Sequence, residues 1–200
     1  MIYEYTRSAK SQNGSSQIAI PNLHTVQTLS SEKTANALNK SLPEDRSARL
    51  NVLIQINTSG EDSKSGVPPL FRGSPGDADG GELKQLAKHI VLKCPNLRLQ
   101  GLMTIGALEL SLTATETEKN ADFERLKETR DLLSEWLVRE LGDEAKGRWG
   151  AGEGRLVLSM GMSSDFEAAL KAGSDIVRVG TGIFGQRKTK DEVKVSAASS

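Results

Sequence analysis

The sequence predicts an α/β protein built around a parallel sheet, and three patterns lead to this prediction. Apolar runs typical of buried strands recur at residues 50–56, 97–105 and 156–159. Amphipathic helical patterns lie between them, at residues 82–93 and 122–141. Loops rich in Gly, Ser and Thr follow several of the strands. Because strands that alternate with helices form parallel sheets, we expect an α/β rather than an α+β fold.

The other elements are predicted from local signals. Residues 23–29 read as a short strand, after which Ser30 and Ser31 cap a helix. The segment 68–81 is rich in Gly, Pro and Asp and reads as a flexible insertion. Near the C-terminus, residues 156–185 read as strand, loop, helix, strand and glycine turn. There Ser163 and Ser164 are expected to cap the helix and Gly173 to end it.

Composition excludes several classes of protein. The 200 residues suffice for one domain with a sizeable core. Lys plus Arg and Asp plus Glu each total 26, so no global field favours nucleic acid or an anionic membrane. A single cysteine, Cys94, excludes an intrachain disulfide and a cysteine-rich metal site. No run is apolar enough to cross a membrane. We expect no metal and a cytoplasmic protein, with a mitochondrial location left open.

Two loops near the C-terminus carry the residues of a candidate phosphate site. Ser163 follows one strand, and Gly180, Thr181 and Gly182 follow the next. Free N–H groups at a helix start attract anions, and glycine lets a phosphate approach the backbone closely. In a (β/α)8 barrel the usual phosphate site is built from the loops after strands seven and eight. Arg178, in the last strand, would point at whatever the phosphate is attached to.

Each of these residues also has a plain structural interpretation. A Ser at a helix start is usually only a cap, and a lone Gly-Thr-Gly is usually a turn. An Arg on a strand is more often a salt-bridge partner than a ligand-binding group. Their order along the chain, one βα unit apart, is what favours a phosphate site.

Four motifs resemble the pyridoxal phosphate homeostasis protein family, also called the proline synthase co-transcribed family. They are residues 52–66 (VLIQINTSGEDSKSG), 99–106 (LQGLMTIG), 158–166 (LSMGMSSDF) and 178–185 (RVGTGIFG). The family is similar in fold to the N-terminal barrel of alanine racemase. The resemblance therefore implies a (β/α)8 TIM barrel of the alanine racemase N-terminal type and a site for pyridoxal 5′-phosphate (PLP).

The chain departs from the family in its first part. We count about five βα units, corresponding to strands 4–8 of a barrel that needs eight. We expect a non-family, flexible segment at 1–20, a partial PLP-binding barrel at 21–187 and a flexible tail at 188–200. The family's first strand carries the lysine that forms the Schiff base with PLP, and nothing before Pro21 resembles it; Lys10 lies in a polar context. We therefore expect an N-terminally truncated barrel with open edges.

The resemblance implies a non-catalytic PLP carrier or reservoir in intracellular PLP homeostasis. By carry-over, the phosphate would be held by Met162, Ser163, Gly180 and Thr181. Arg178 would face the pyridine nitrogen. Asn57 would lie on the rim of the pocket, and Met103, which core packing could also explain, would contact the ring. The implied partners are apo-enzymes that receive PLP, and we expect a monomer unless a partner covers the open barrel edge.

Two other functions remain open. One is a racemase-like or other phosphate-binding barrel enzyme, which would need an acid–base pair across the ring. His24, His89, Tyr3 and Tyr5 all lie outside the matched motifs, so we identify no catalytic residue. The other is a non-binding truncated fragment, in which the motifs survive only as structure.

Overall fold

A computed structural model of the protein describes residues 3–5, 22–43, 46–62, 64–73, 81–106, 120–151 and 154–185. The predicted tail at 188–200, Lys10, most of the segment 1–20 and half of the insertion 68–81 lie outside the described residues.

The core element is a six-stranded sheet in which all neighbouring strands are parallel. Its strands are β1 (Tyr3–Tyr5), β2 (Leu23–Leu29), β3 (Leu50–Gln55), β4 (Leu97–Met103), β5 (Val157–Met162) and β6 (Ile176–Arg178). Their spatial order is the chain order, β1 to β6. This is the topology of part of a (β/α)8 barrel, as predicted, with six strands instead of about five. The additional strand, β1, lies in the segment where the sequence predicted none.

Within the described ranges, five α-helices connect the strands or follow them. They are α1 (Glu32–Ser41), α2 (Glu82–Lys93), α3 (Ala121–Leu141), α4 (Phe166–Lys171) and the single turn α5 (Thr181–Phe184), and a 3₁₀ turn covers Gly142–Ala145. The predicted caps of α1 and α4 differ in outcome. Ser31 caps α1 by accepting from the backbone N–H of Thr34 at 3.2 Å, as expected.

The start of α4 is organised differently from the prediction. Its N-cap is Asp165, and no side chain caps it. β5 also continues through Met162, three residues further than the apolar run predicted. The Ser163 hydroxyl is therefore directed at a neighbouring loop instead of the helix start. The C-terminal prediction is correct, since Gly173 follows the helix with φ +96°.

Helices cover one face of the sheet, and a small apolar cluster lies on the other face. Every residue of β3 is buried, which fits a strand with both faces covered. The main core lies between the sheet and the helices, and Leu86, Ile90, Leu126 and Leu133 contribute to it. A smaller cluster on the opposite face joins Leu53, Met103 and Val157, with Ile176 against it.

The described ranges contain neither a membrane-spanning helix nor a cluster of metal-ligating side chains. No helix there is long and apolar enough to span a bilayer. Nor do three or more His, Cys, Asp and Glu side chains come together there as a metal site.

Candidate functional site

The carboxyl ends of the last three strands define the candidate site. Met103 of β4 is aligned with Ser159 of β5, and Met162 of β5 with Arg178 of β6. Because carboxyl ends of parallel strands meet at one edge of the sheet, the loops after β5 and β6 converge. The sequence prediction placed its candidates at this edge.

The Ser163 hydroxyl joins the two loops. Its Oγ accepts hydrogen bonds from the backbone N–H of Gly180 at 2.9 Å and of Gly182 at 3.3 Å. The loop that carries Ser163 is itself fixed by Asp165, whose Oδ1 accepts from the Met162 N–H at 2.6 Å. The N–H groups of this glycine loop thus already point at an oxygen acceptor, as a phosphate oxygen would require.

Arg178 is held in place by oxygen atoms on two neighbouring strands. Its Nη1 donates to the Ser159 hydroxyl at 2.8 Å and to the Ser159 carbonyl at 3.4 Å. Its Nη2 donates to the Thr104 carbonyl at 2.6 Å. Burial lowers the pKa of Arg178, while the charge of Asp165 raises it. An arginine side chain stays charged in a protein, and this one is oriented by three neutral oxygen acceptors.

A buried hydrogen bond extends this network from β5 to β2, three strands away in the sheet. The Ser159 hydroxyl donates to Gln27 Oε1 of β2 at 2.7 Å, and both side chains are fully buried. Ser159 thereby accepts from Arg178 and donates to Gln27. The sequence analysis missed Ser159, Thr104 and Gln27 as site residues. For Ser159 and Gln27, a polar side chain within a buried apolar strand is the signal that could have found them. Thr104 takes part through its backbone carbonyl, which no sequence pattern marks.

These groups surround a cavity of about 710 Å³. Six of the seven predicted binding residues line it, together with five further residues, three of which have apolar side chains. The predicted residues are Met103, Met162, Ser163, Arg178, Gly180 and Thr181, and the additional ones include Ile105, Val179, Phe184 and Gly185. A side chain added at Gly180 would meet nothing within 4 Å, so the backbone there is open to the cavity.

Asn57, the seventh predicted residue, lies outside this cavity. It lines an adjoining one of about 210 Å³, which shares Ile105 with the first. Its Nδ2 donates to the Glu61 carbonyl at 3.0 Å and its Oδ1 accepts from the Gly60 N–H at 3.1 Å. Asn57 therefore shapes its own loop, and its predicted contact with a cofactor stays a prediction.

The adjoining cavity also contains Lys64. Its Nζ donates to Glu61 Oε1 at 2.7 Å and to the Gly106 carbonyl at 2.5 Å. The bond from Lys64 lowers the pKa of the Glu61 carboxyl. This lysine thus ties the loop after β3 to the end of β4, and its amine is engaged as an ammonium donor.

The comparison with protein families defines the class of protein. The model for the alanine racemase N-terminal domain matches residues 10–188. The chain therefore belongs to the alanine racemase N-terminal domain family.

Individual relatives show which members of this family the chain resembles. The pyridoxal phosphate homeostasis protein of Bos taurus is 38% identical to this chain, and the match covers 94% of this chain and 59% of that protein. The protein of the same name in Homo sapiens is 40% identical, and the match covers 88% of this chain and 55% of that protein. The counterpart in Schizosaccharomyces pombe is 39% identical and covers 90% and 64%. The resemblance predicted from the four motifs is confirmed. The chain spans little more than half the length of these relatives.

Solved structures support the fold. A crystal structure of an unknown protein from Bifidobacterium adolescentis has 32% identity and a TM-score of 0.58, covering 85% of this chain and 57% of that one. PipY of Synechococcus elongatus, solved with PLP bound, has 20% identity and a TM-score of 0.57, covering 92% and 71%. Alanine racemase from Corynebacterium glutamicum has 16% identity and a TM-score of 0.55, covering 94% and 43%. The last two likenesses concern the fold alone.

The residues of the cavity fit PLP in two of its three parts. The hydroxyl of Ser163 and the open backbone at Gly180 are donors suited to a phosphate. Arg178 and the apolar Met103 can face a pyridine ring. For the aldehyde the fit fails, since no lysine is among the described residues that line this cavity.

Proposed function

We propose that this chain binds PLP in the cavity at the ends of β4, β5 and β6 and serves as a carrier or reservoir in PLP homeostasis. The observation that carries the proposal is the convergence of Ser163, the Gly180–Gly182 backbone and Arg178 on one cavity of about 710 Å³. The names of the curated relatives support it.

In this proposal the phosphate is held at the glycine loop. Its oxygens compete with the Ser163 hydroxyl for the N–H groups of Gly180 and Gly182. The released hydroxyl, together with that of Thr181, becomes a donor to the phosphate, and Met162 contributes to the wall beneath it. A phosphate is a better acceptor than a hydroxyl because its charge strengthens each hydrogen bond.

Arg178 is proposed to face the pyridine nitrogen. Bound PLP supplies an electron sink whose strength depends on protonation of that nitrogen. The charged guanidinium, fixed by Ser159 and Thr104, disfavours a proton on the nitrogen. This keeps the sink weak, which suits storage and delivery better than transamination.

Binding without a covalent link completes the proposal. Lys64 lies in the adjoining cavity, where it is engaged by Glu61 and the Gly106 carbonyl. Asn57 organises the same rim loop. Affinity would then come from the phosphate, Arg178 and the apolar contacts of Met103, and would be lower than with a covalent anchor. We also propose a cytoplasmic location and apo-enzymes as recipients.

The test is a titration of the purified chain with PLP, followed by absorbance and melting temperature together. A ligand that binds only the native state stabilises it, by about 2.7 kcal/mol at a concentration of a hundred times Kd. We expect a rise in melting temperature with PLP and a much smaller rise with pyridoxal, which lacks the phosphate. Borohydride reduction followed by mass spectrometry should find no adduct on the chain.

Matched variants locate the site. Ser163→Ala and Arg178→Gln should each weaken PLP binding by about tenfold, the worth of about 1.4 kcal/mol. Ser134→Ala, on α3 and outside the cavity lining, should leave binding unchanged. Equal stabilisation by pyridoxal and PLP would refute the phosphate site, and no effect of either on a folded sample would favour the non-binding fragment.

A racemase-like enzyme is the second candidate. The chain has two histidines, and neither lines the cavity: His24 lies at the start of β2, and His89 bonds Asn36 on α1 at 2.9 Å. Incubation of the PLP-loaded chain with L- and D-alanine, analysed by chiral chromatography, separates the candidates. Racemisation above the rate of free PLP would overturn the non-catalytic proposal.

A further inference from the structure

A second cavity, of about 570 Å³, lies at the opposite end of the sheet. His24, Asn51 and Arg98 line it, and each is the second residue of its strand, β2, β3 or β4. Arg46 and Arg49, from the segment before β3, complete its polar wall. In a parallel sheet the first residues of the strands meet at the end opposite the last ones. This cavity is therefore separate from the PLP site and does not rest on the proposed function.

We propose that this cavity binds a small polyanion with two or more phosphate or carboxylate groups. Two of its arginines are oriented by backbone carbonyls. Arg46 donates from Nε to the Ala48 carbonyl at 2.8 Å and from Nη2 to the Leu23 carbonyl at 2.5 Å. Carbonyl groups fix a guanidinium without neutralising it, so the charge remains available to a ligand.

Arg49 is held in the same way on the other side of the cavity. Its Nε donates to the Pro95 carbonyl at 3.1 Å and its Nη1 to the Gly147 carbonyl at 3.5 Å. Within the part of the chain that the structure describes, none of the eight ion pairs involves Arg46, Arg49 or Arg98. No described Asp or Glu lines the cavity either.

Arg98 supplies the strongest indication of a missing acceptor. Its Nε is buried and has no hydrogen-bond partner among the described residues. A buried donor without an acceptor is costly, and a charged one more so, which makes it unusual in a native structure. Because the Arg98 side chain lines the cavity and forms no ion pair among the described residues, an anion there would compensate its charge.

The surroundings add positive charge. Arg148 donates from Nη2 to the Cys94 carbonyl at 3.2 Å, and its buried Nε also lacks a partner within the described ranges. Burial lowers the pKa of Arg148, and the charge of Arg49 lowers it further, so the two guanidiniums repel each other. A polyanion bound beside Arg49 would offset that repulsion with negative charge.

The local character of this charge favours a small ligand over a nucleic acid. The chain as a whole has equal numbers of acidic and basic residues, 26 of each, and so no field that extends along a polynucleotide. Guanidinium forks match phosphate and carboxylate oxygens in pairs, and a concave cavity selects a compact molecule that carries several of them.

Isothermal titration with inorganic pyrophosphate and, separately, with citrate tests the proposal. We expect saturable binding that weakens as sodium chloride is raised. Arg49→Gln and Arg98→Gln should each raise Kd by tenfold or more. Arg139→Gln, an exposed residue on α3 with the same change of charge, is the matched control and should alter Kd less than twofold. The stronger of the two probes assigns phosphate or carboxylate as the preferred group.

Three results would overturn the proposal. One is the absence of saturable binding by either probe. Another is binding that survives Arg49→Gln and Arg98→Gln unchanged, since the anion would then occupy the cavity near Ser163. A third is tighter binding of a short single-stranded oligonucleotide that the same variants abolish. Circular dichroism confirms that each variant is folded, and if Arg98→Gln is not, the exposed Arg49→Gln decides alone.

Discussion

Removal of one hydroxyl, in Ser159→Ala, tests the buried network that positions Arg178. Ser159 Oγ accepts from Arg178 Nη1 at 2.8 Å and donates to Gln27 Oε1 at 2.7 Å. The substitution removes a single oxygen from a fully buried site, so no large cavity is created. Its effect therefore measures the two hydrogen bonds.

The expected loss of stability follows from the partners that remain. A hydrogen bond to a charged group contributes about 1.5–3 kcal/mol and a neutral one about 1 kcal/mol. Arg178 keeps its bonds to the carbonyls of Ser159 and Thr104, at 3.4 and 2.6 Å, so its loss falls at the low end. We expect the free energy of unfolding to fall by about 2.5 kcal/mol, or the melting temperature by about 5–10 °C for a chain of this size.

Urea unfolding followed by circular dichroism measures the change. The slope of the transition should stay constant while its midpoint falls. Ser164→Ala, at an exposed residue five positions away, is the matched control and should change stability by less than about 0.5 kcal/mol. A double-mutant cycle with Gln27→Leu should give a coupling energy of about 0.5 kcal/mol or more.

The reasoning would be refuted by a loss below about 0.5 kcal/mol in Ser159→Ala, or by additive effects in the cycle. In either case the short distances in this network would not correspond to stabilising hydrogen bonds. If the proposed function is also correct, the variant should bind PLP more weakly than the wild type, since Arg178 would lose one of its fixed positions.

The remaining predictions concern backbone strain, pH and the rim of the cavity. Gly161→Ala should destabilise the protein by about 2–5 kcal/mol in urea unfolding, since Gly161 has φ +91° and a Cβ there would lie 2.4 Å from that of Ala169. Gly173 also has a positive φ, +96°, but a Cβ there would meet nothing within 4 Å, so Gly173→Ala tests the backbone strain without a steric clash. If Gly173→Ala lowers the free energy of unfolding as much as Gly161→Ala does, the clash with Ala169 does not contribute. Burial raises the pKa of the Cys94 thiol, so above about pH 8.5 the unfolded chain binds fewer protons than the folded one and the free energy of unfolding should fall as pH rises. In Cys94→Ala this fall in the free energy of unfolding at high pH should be absent. If the wild type and Cys94→Ala show the same dependence of stability on pH, the thiol does not contribute to it. Phe184→Ser, which removes an 85% exposed ring at the mouth of the PLP cavity, should leave stability within about 0.5 kcal/mol, and a larger loss would mean that the ring is packed in solution.

Much of the fold could be predicted because the strands are apolar and the helices amphipathic. The predicted strand 23–29 and helix 82–93 coincide with β2 and α2. The strand predicted at 156–159 ended too early. β5 continues to Met162 through Gly161, whose positive φ is accessible to glycine but rarely to other residues. β1 escaped notice since Tyr3–Tyr5 is only three residues long and is followed by a polar run.

The candidate site was predictable where its residues belong to motifs and unpredictable where they depend on packing. Ser163, Arg178 and Gly180 share a cavity as expected. The actual partners of Ser163 are backbone groups 17 and 19 positions away, a contact that only the alignment of β5 with β6 creates. The arginine cavity was missed for the same reason, because its residues are close only after β2, β3 and β4 pair.

If the chain is a PLP reservoir as proposed, the Ser163 hydroxyl affects the release of PLP. In the protein without ligand, this hydroxyl already saturates the N–H groups that a phosphate would use. Loading is then an exchange of acceptors, and unloading returns the Gly180 and Gly182 N–H groups to the Ser163 hydroxyl. Each restored bond, worth about 1 kcal/mol, offsets part of the affinity and lowers the barrier to release. Under the proposed function, this exchange would favour release of PLP to another protein over tight retention.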